Sequence, residues 1–217
     1  MSATERSAKT FLEGVELFDT PEGLSSIHRT ECAAAIWQRH PQQRFQSWID
    51  SVDPGRLPKA RVIVHAGNVH QVVSEVCEVC GTPDCDERAM LVDDVAALAN
   101  IFSQVMNSSY LTMQFDVATR NASRQFHTDE VMARLVCTYR GTGTQFGTPH
   151  FGSEPYEVFT VPTGSPMLLR GKLWPDISGS GLTHRSPPVE GTGETRLSLV
   201  LDPAMDPTGP ATQGTLH

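Results

Sequence analysis

Two stretches of the sequence repeat apolar residues at the spacing of an α-helix. Residues 41–52 open with a proline, place Phe45, Trp48 and Ile49 on one face, and are followed by a Pro-Gly pair. Residues 91–106 carry a longer stripe at steps of three and four, formed by Leu91, Val95, Leu98, Phe102 and Val105. A stripe of this kind is typical of a helix that buries one side. The pattern therefore predicts two helices in the first half of the chain.

After residue 106 the apolar period changes to that of a strand. Apolar and polar side chains alternate through residues 110–117, and shorter runs follow at 131–139, 156–161, 167–170 and 195–201, separated by turns. Residues 61–64 are a short and ambiguous strand candidate. Helices followed by antiparallel strands, without alternating βαβ units, indicate an α+β chain. We expect a mainly β fold with N-terminal helices and a double-stranded β-helix core, a jelly roll of the cupin type.

Length and composition bound the organisation and the partners. The 217 residues suit one domain, so we expect an N-terminal arm (1–30), a single jelly-roll domain with a helical buttress (31–202) and a flexible tail (203–217). A net charge of −8 without a basic run argues against a nucleic-acid partner. We find no apolar stretch of the ~18 residues that span a bilayer and no apolar leader, so no membrane partner and a cytoplasmic location are expected.

One group of residues has the chemistry of a metal site. His127 and Asp129 are two apart, so on an extended chain their side chains leave the same face. His184, just before the last predicted strand, is the candidate third ligand. Two histidines and one carboxylate leave three positions of an octahedral ion open, which is typical of non-haem Fe(II) oxygenases. We therefore treat His127, Asp129 and His184 as metal-binding and catalytic candidates.

A second same-face pair, Arg196 and Ser198, lies on the last predicted strand. A guanidinium with a neighbouring hydroxyl suits a carboxylate that is held by a bidentate contact and one further hydrogen bond. The ordered set of His-x-Asp, distal His and Arg-x-Ser is far more specific than His-x-Asp alone.

This set resembles the Fe(II)/2-oxoglutarate-dependent oxygenase superfamily, and more closely the family called domain of unknown function 1826. The similar segments are residues 35–39, 126–129, 134–144, 184–188 and 196–202. The resemblance implies that His127, Asp129 and His184 bind Fe(II), and that Arg196 and Ser198 bind 2-oxoglutarate. It further implies that O2 oxidises or hydroxylates a small molecule, an amino acid or a peptide. Because the chain stops soon after the last strand, a homodimer or the N-terminal arm is expected to cover the core.

Two other functions remain open at this point. The same three ligands could hold Zn(II) in a non-enzymatic metal-binding jelly roll. Alternatively, an iron oxygenase that does not use 2-oxoglutarate could hold the carboxylate of its own substrate with Arg196. For the substrate side we name Tyr139 or Arg140, between which alternation does not choose, and Trp174, which could equally pack in the core. His150 is a weaker candidate for the pocket.

Three cysteines are clustered as C-x2-C-x4-C: Cys77, Cys80 and Cys85. The first pair resembles a zinc knuckle, for which His70, Cys32 or His65 would supply the fourth ligand. A redox pair or disulfide, or reduced thiols without function, are the other interpretations. Cys137, inside a predicted strand, is expected to be a small buried apolar residue.

Overall fold

A large and a small β-sheet make up most of the chain in the computed structural model, which describes residues 12–120, 125–149, 154–175 and 181–208. The helices are α1 (Gln43–Ser51), α2 (Val69–Val79) and α3 (Asp86–Met106). The strands are β1 (Val15–Phe18), β2 (Ala34–Trp37), β3 (Ala60–His65), β4 (Tyr110–Ala118), β5 (Ala133–Arg140), β6 (Gln145–Gly147), β7 (Phe159–Thr160), β8 (Met167–Arg170), β9 (Thr183–Arg185) and β10 (Arg196–Ala204). A strand-rich fold with helices in the first half of the chain is thus confirmed.

The seven-stranded sheet has the order β1-β2-β8-β5-β10-β4-β3, and the small sheet has the order β7-β6-β9. All neighbours are antiparallel except β1 and β2. The last strand, β10, lies between β4 and β5, so the C-terminal part of the chain completes the middle of the sheet. These pairings join strands that are far apart in the sequence.

The two faces of the large sheet have different partners. One face carries the buried leucines of β10 and packs against α3 in a cluster that contains Leu98 and Phe102. The other face, with Val136 of β5, packs towards Phe146 of the small sheet. Truncating a buried leucine or phenylalanine in such a core costs about 2–5 kcal/mol. The strand period therefore separates an apolar helix-side face from an inner face on which polar residues can be placed.

Helix α3 confirms the longer of the two predicted helices, and it begins earlier than its apolar stripe. Asp86 and Glu87 in its first turn favour an early start, because acidic side chains stabilise a helix N-terminus. The helix ends at Asn107, which has a left-handed φ of 48°. By length and hydropathy it is the one candidate for a membrane span in the described residues. Its buried face packs in the cluster beneath the large sheet.

Residues 12–30, within the expected N-terminal arm, contribute a strand and a helix to the fold. Val15–Phe18 pairs with β2, and a 3₁₀-helix follows at Pro21–His28 that buries Leu24 and Ile27. The buried guanidinium of Arg170, on β8, donates to the carbonyl oxygens of Ile27 and Arg29 at 2.9 and 2.7 Å. These contacts are tertiary and leave no periodic signal in the sequence, so the pattern of apolar positions missed them.

Candidate metal centre

The backbones of His127 and His184 lie side by side across an antiparallel bridge. The N–H of His127 donates to the carbonyl of His184 at 3.0 Å, and the reverse bond is 2.9 Å long. Their rings are consequently 4.8 Å apart, with an angle of 43° between the planes. His184 lies on β9, an edge strand of the small sheet, and the bridge places His127 beside that edge. The small sheet therefore positions both histidines.

Asp129 joins the two histidines at this point. Its Oδ2 is 3.0 Å from His184 Nε2, and its Oδ1 is 3.6 Å from His127 Nε2. All three ligand atoms lie within 4.8 Å of one another, and no other such group occurs in the described parts of the chain. Neighbouring ligands about 2.1 Å from an octahedral ion are about 3 Å apart, so the spacing is compatible with a shared ion.

Unsatisfied polar atoms mark this group as a ligand set. Three buried side-chain N or O atoms among the described residues lack a hydrogen-bond partner, and two of them are Asp129 Oδ2 and His184 Nδ1. Buried polar groups are usually satisfied, and the exceptions tend to occur at functional sites. His127 Nδ1 is 3.0 Å from the carbonyl of Gln125. Because a carbonyl only accepts, Nδ1 carries the proton and Nε2 keeps its lone pair for a ligand. The residues present therefore fit a divalent metal ion.

The electrostatics keep Asp129 ionised. Burial by itself raises its pKa, but the contacts with His127 and His184 and the Arg134 charge outweigh burial and bring the pKa well below 3.8. The same contact with Asp129 raises the pKa of His127 above 6.5, against the opposing effect of burial. A metal ion needs the carboxylate ionised and the imidazoles neutral, and Asp129 meets the first condition without an ion.

Arg134 and Asp202 complete the surroundings of Asp129, and the sequence patterns assign no role to either. Arg134 Nη1 donates to Asp129 Oδ1 at 2.6 Å, while its Nε and Nη2 donate to the two oxygens of Asp202, both at 2.7 Å. The available signal was strand alternation, which places Arg134 on the inner face of β5. Alternation alone does not say which carboxylates lie within its reach.

Arg196 and Ser198 lie on the inner face of β10, in a cavity of about 180 Å³ that also reaches His127 and His184. Arg196 is buried, with 3% of the residue exposed to solvent. Its guanidinium donates to Ser198 Oγ at 3.0 Å, to two threonine hydroxyls and to one carbonyl. It forms no ion pair with an acidic residue in the described ranges. Burial lowers the pKa of Arg196 from 12.5, because removal from water disfavours the charged guanidinium.

The sequence matches a family model over residues 18–202, the family described as "Protein of unknown function (DUF1826)". The chain belongs to this family. The family description assigns no reaction, and a comparison of the chain with curated proteins gives no match.

The solved structures similar to this member of the DUF1826 family include Fe(II)/2-oxoglutarate oxygenases. One is dioxygenase for auxin oxidation 1 from Arabidopsis thaliana in complex with 2-oxoglutarate, at 11% identity over 76% of this chain and 74% of that one, with a TM-score of 0.44. The dioxygenase for auxin oxidation from rice has 12% identity over 84% and 75%, with a TM-score of 0.46. A third is an oxidoreductase of the 2OG-Fe(II) oxygenase family from Burkholderia pseudomallei, at 12% identity over 83% and 88%, with a TM-score of 0.42. The likeness is distant, and the function proposed below depends on the residues of the site.

The candidate substrate residues do not line this cavity. Tyr139 lies on the helix side of β5, where its hydroxyl donates to Asp94 at 2.6 Å. Arg140 donates to the carbonyl of Val52 at 2.6 Å. Trp174 packs 5.5 Å from the His28 ring and beneath the Arg170 guanidinium. His150 lies outside the described residues.

The cysteine cluster does not form a ligand set. Cys77 is buried in α2 on the helix side of the large sheet, where burial raises its pKa to about 11. Cys80 and Cys85 lie near the carbonyls of Lys59 and Pro83 instead. All five cysteines are free thiols, so the structure gives no support for zinc or a disulfide here. Cys137 is fully buried, as expected.

Proposed function

We propose that this protein is a non-haem Fe(II) oxygenase that uses 2-oxoglutarate to hydroxylate or oxidise a small molecule, an amino acid or a peptide. The observation that carries the proposal is the pairing of two features in one cavity. His127 and His184 line it, and beside them is Asp129 with an unsatisfied carboxylate oxygen. The same cavity is lined by Arg196, a buried arginine that forms no ion pair with the described residues.

Arg196 supports an anionic cosubstrate. A buried guanidinium is costly unless an anion compensates its charge, and the partners of Arg196 are all neutral oxygens. A bound carboxylate would supply that charge and would find the Ser198 hydroxyl beside it. This is the arrangement that the distal carboxylate of 2-oxoglutarate needs if its other end is to reach the metal.

The strand order supports a double-stranded β-helix as the architecture. In the large sheet β4, β10, β5 and β8 are successive neighbours, and in the small sheet the His127 bridge, β9, β6 and β7 are successive neighbours. Taken in chain order, the eight segments pass back and forth between the two sheets, except that β6 and β7 follow each other within the small sheet, in the manner of two Greek keys. We propose that residues 31–202 form this single unit, with the helices as its buttress, and that residues 12–30 belong to the same fold.

The residues of the chain divide the work as follows. His127, Asp129 and His184 would hold Fe(II), and Arg196 with Ser198 would hold 2-oxoglutarate. When bound, iron, 2-oxoglutarate and O2 supply the oxidising chemistry. The protein keeps Asp129 ionised, fixes the Nε2 lone pair of His127, and places the cosubstrate site within a partly apolar cavity that includes Val136 and Val200. The protein thus orients the ligands and the cosubstrate and limits the access of water to the cavity.

Asp116 favours a second candidate function. It lines the same cavity and forms no ion pair with the described residues, and its negative charge acts on Arg196. A carboxylate in the same cavity offsets part of the arginine charge, which disfavours a dianion and suits a ligand that carries a positive group as well as a carboxylate. In this second function, Arg196 binds the carboxylate of the substrate itself, and the iron oxygenase uses no 2-oxoglutarate.

Anaerobic addition of 2-oxoglutarate to the Fe(II)-loaded protein tests the proposal. We expect a weak visible charge-transfer band, and succinate release once O2 and ascorbate are supplied. The Arg196→Lys variant should keep Fe(II) but require far more 2-oxoglutarate for the same band. Fe(II) binding without any band, and without succinate, would instead favour the second function.

A further inference from the structure

The two carboxylate oxygens of Asp129 have different surroundings, because Arg134 contacts only one of them. Oδ1 accepts a hydrogen bond from Arg134 Nη1 at 2.6 Å, whereas Oδ2 has no hydrogen-bond partner and lies 3.0 Å from His184 Nε2. A free carboxylate can bind a metal ion through one oxygen or through both. Here one oxygen is engaged by a short charge-assisted bond, and the other is buried and available.

We propose that Arg134 is a positioning residue that makes Asp129 a one-oxygen metal ligand. This inference rests on the proposed metal centre and deepens it. A carboxylate that binds through one oxygen occupies one position of the ion, so three positions stay open beside the two histidines. A two-oxygen Asp129 would leave two, which is too few for a chelating cosubstrate and O2 together.

Asp202 holds Arg134 in the orientation that this role needs. Nε and Nη2 of Arg134 form two parallel bonds to the Asp202 carboxylate, so the guanidinium plane is fixed and only its Nη1 side faces Asp129. All three side chains are at most 23% exposed, which limits competition from water. The register explains the contact, because Leu201 of β10 is paired with Leu135 of β5. The strands are antiparallel, so Asp202, which follows Leu201, lies beside Arg134, which precedes Leu135.

A second contact fixes the backbone of the same loop. Lys172 donates its N–H to the carbonyl of Asp129 at 2.9 Å, and its ammonium pairs with Glu130 at the exposed surface. Glu130 therefore neighbours the ligand in sequence but takes no part in holding its carboxylate. It serves as the matched control.

The direction in which metal affinity changes when Arg134 is removed distinguishes a positioning role from a purely electrostatic one. If Arg134 acted on the metal only as a nearby cation, its removal would strengthen binding of a divalent ion, because like charges repel. Positioning predicts the opposite sign. Loss of a residue that orients a metal ligand weakens affinity by about 10–100-fold.

The first measurement is a titration of the full-length, metal-stripped protein with Mn(II), in which electron paramagnetic resonance reports the concentration of free Mn(II). The second is the visible absorption spectrum of the Co(II)-loaded protein. We expect Arg134→Gln to weaken Mn(II) binding about 10–100-fold, and to alter the visible Co(II) bands because Asp129 Oδ1 is released. We expect a smaller loss of Mn(II) affinity in Arg134→Lys, which keeps the charge but lacks the planar guanidinium, and in Asp202→Asn, than in Arg134→Gln. Glu130→Gln should match the unsubstituted protein.

Each outcome bears on the inference. Unchanged or tighter Mn(II) binding in Arg134→Gln, with unchanged Co(II) spectra, overturns it while leaving the proposed function intact. If Arg134→Gln does not fold, as judged by thermal unfolding, the same comparison is made with Arg134→Lys and Asp202→Asn. Failure of the unsubstituted protein to bind Mn(II) or Fe(II) overturns both this inference and the proposed function.

Discussion

His127 and His184 are held opposite each other by a pair of hydrogen bonds, of 3.0 and 2.9 Å, that involve only their backbone atoms. Substitution of either imidazole leaves these backbone bonds in place. We therefore expect His184→Ala to keep the fold but to lose metal binding. The measurement is thermal unfolding with and without Mn(II): a ligand at about 100 times its dissociation constant adds about 2.7 kcal/mol to the stability of the unsubstituted protein. The variant should show no such gain, and a gain of equal size would remove His184 from the ligand set.

Arg196 and Ser198 should affect the cosubstrate but not the metal. We expect Arg196→Lys to raise the dissociation constant of 2-oxoglutarate at least tenfold, because lysine cannot reproduce the bidentate geometry. Ser198→Ala removes one hydrogen bond to a charged group and should cost about tenfold. Calorimetric titration of the Mn(II) form under nitrogen measures both. Equal affinity in all three proteins would show that 2-oxoglutarate, if it binds, lies elsewhere.

Gly171 allows the loop that carries Asp129 to approach the end of β8. A Cβ at this position would lie 3.0 Å from the Asp129 carbonyl and far closer to that of Val131. We expect Gly171→Ala to shift the ligand loop and to weaken Mn(II) binding as well as stability. Gly191 is the control: it has a φ of +80° with nothing within 4 Å, so Gly191→Ala costs about 1 kcal/mol of strain and leaves the metal alone. The same Mn(II) titration and unfolding curves compare the two.

Asp94 links α3 to the large sheet on the face opposite the candidate metal site. It accepts from the Arg39 guanidinium at 2.5 and 2.7 Å and from Tyr139. Replacement by alanine leaves the half-buried Arg39 without its counterion, and we expect a loss of about 3 kcal/mol in the free energy of unfolding. Urea unfolding measures the loss. Metal affinity of the folded variant should be unchanged, and a large drop would mean that the two faces are coupled.

The thiols should differ in reactivity as their burial differs. Burial raises the pKa of Cys77 to about 11 and those of Cys32 and Cys137 to about 12, so all three are protonated and shielded at pH 8. We expect Cys80 and Cys85 to react with a thiol reagent in the native protein, and the three buried thiols to react only after unfolding. The Cys80→Ser/Cys85→Ser variant should retain the metal content of the purified protein. A loss of one equivalent of zinc would restore the zinc-knuckle interpretation.

The grouping of His127, Asp129 and His184 could be anticipated because it depends on local rules. Two side chains two residues apart share a strand face, and the distal histidine precedes a strand that closes the sheet. The link from Asp129 through Arg134 to Asp202 could not be anticipated, since it depends on the register between β5 and β10. No sequence pattern states which residues of two distant strands become neighbours.

The helix side of the molecule shows the same limit. Alternation could not decide between Tyr139 and Arg140. In the structure neither lies at the candidate metal site: Tyr139 donates to Asp94, and Arg140 donates to carbonyls at the end of α1. The apolar period found α3 because a long stripe is nearly unambiguous. It missed α2, where Val69, Val73 and Cys77 repeat at every fourth position over only eleven residues.

The central position of β10 sets the order in which the site can be assembled. β4 and β5 leave the ribosome well before the strand that joins them, and Arg196, Ser198 and Asp202 all arrive with that strand. A nascent chain that has released only His127 and Asp129 therefore has neither the arginine anchor nor the carboxylate that orients Arg134. Long-range closure of this kind is slow compared with local folding. The ligand group, the arginine anchor and the carboxylate that orients Arg134 are therefore complete only once synthesis of the core is finished.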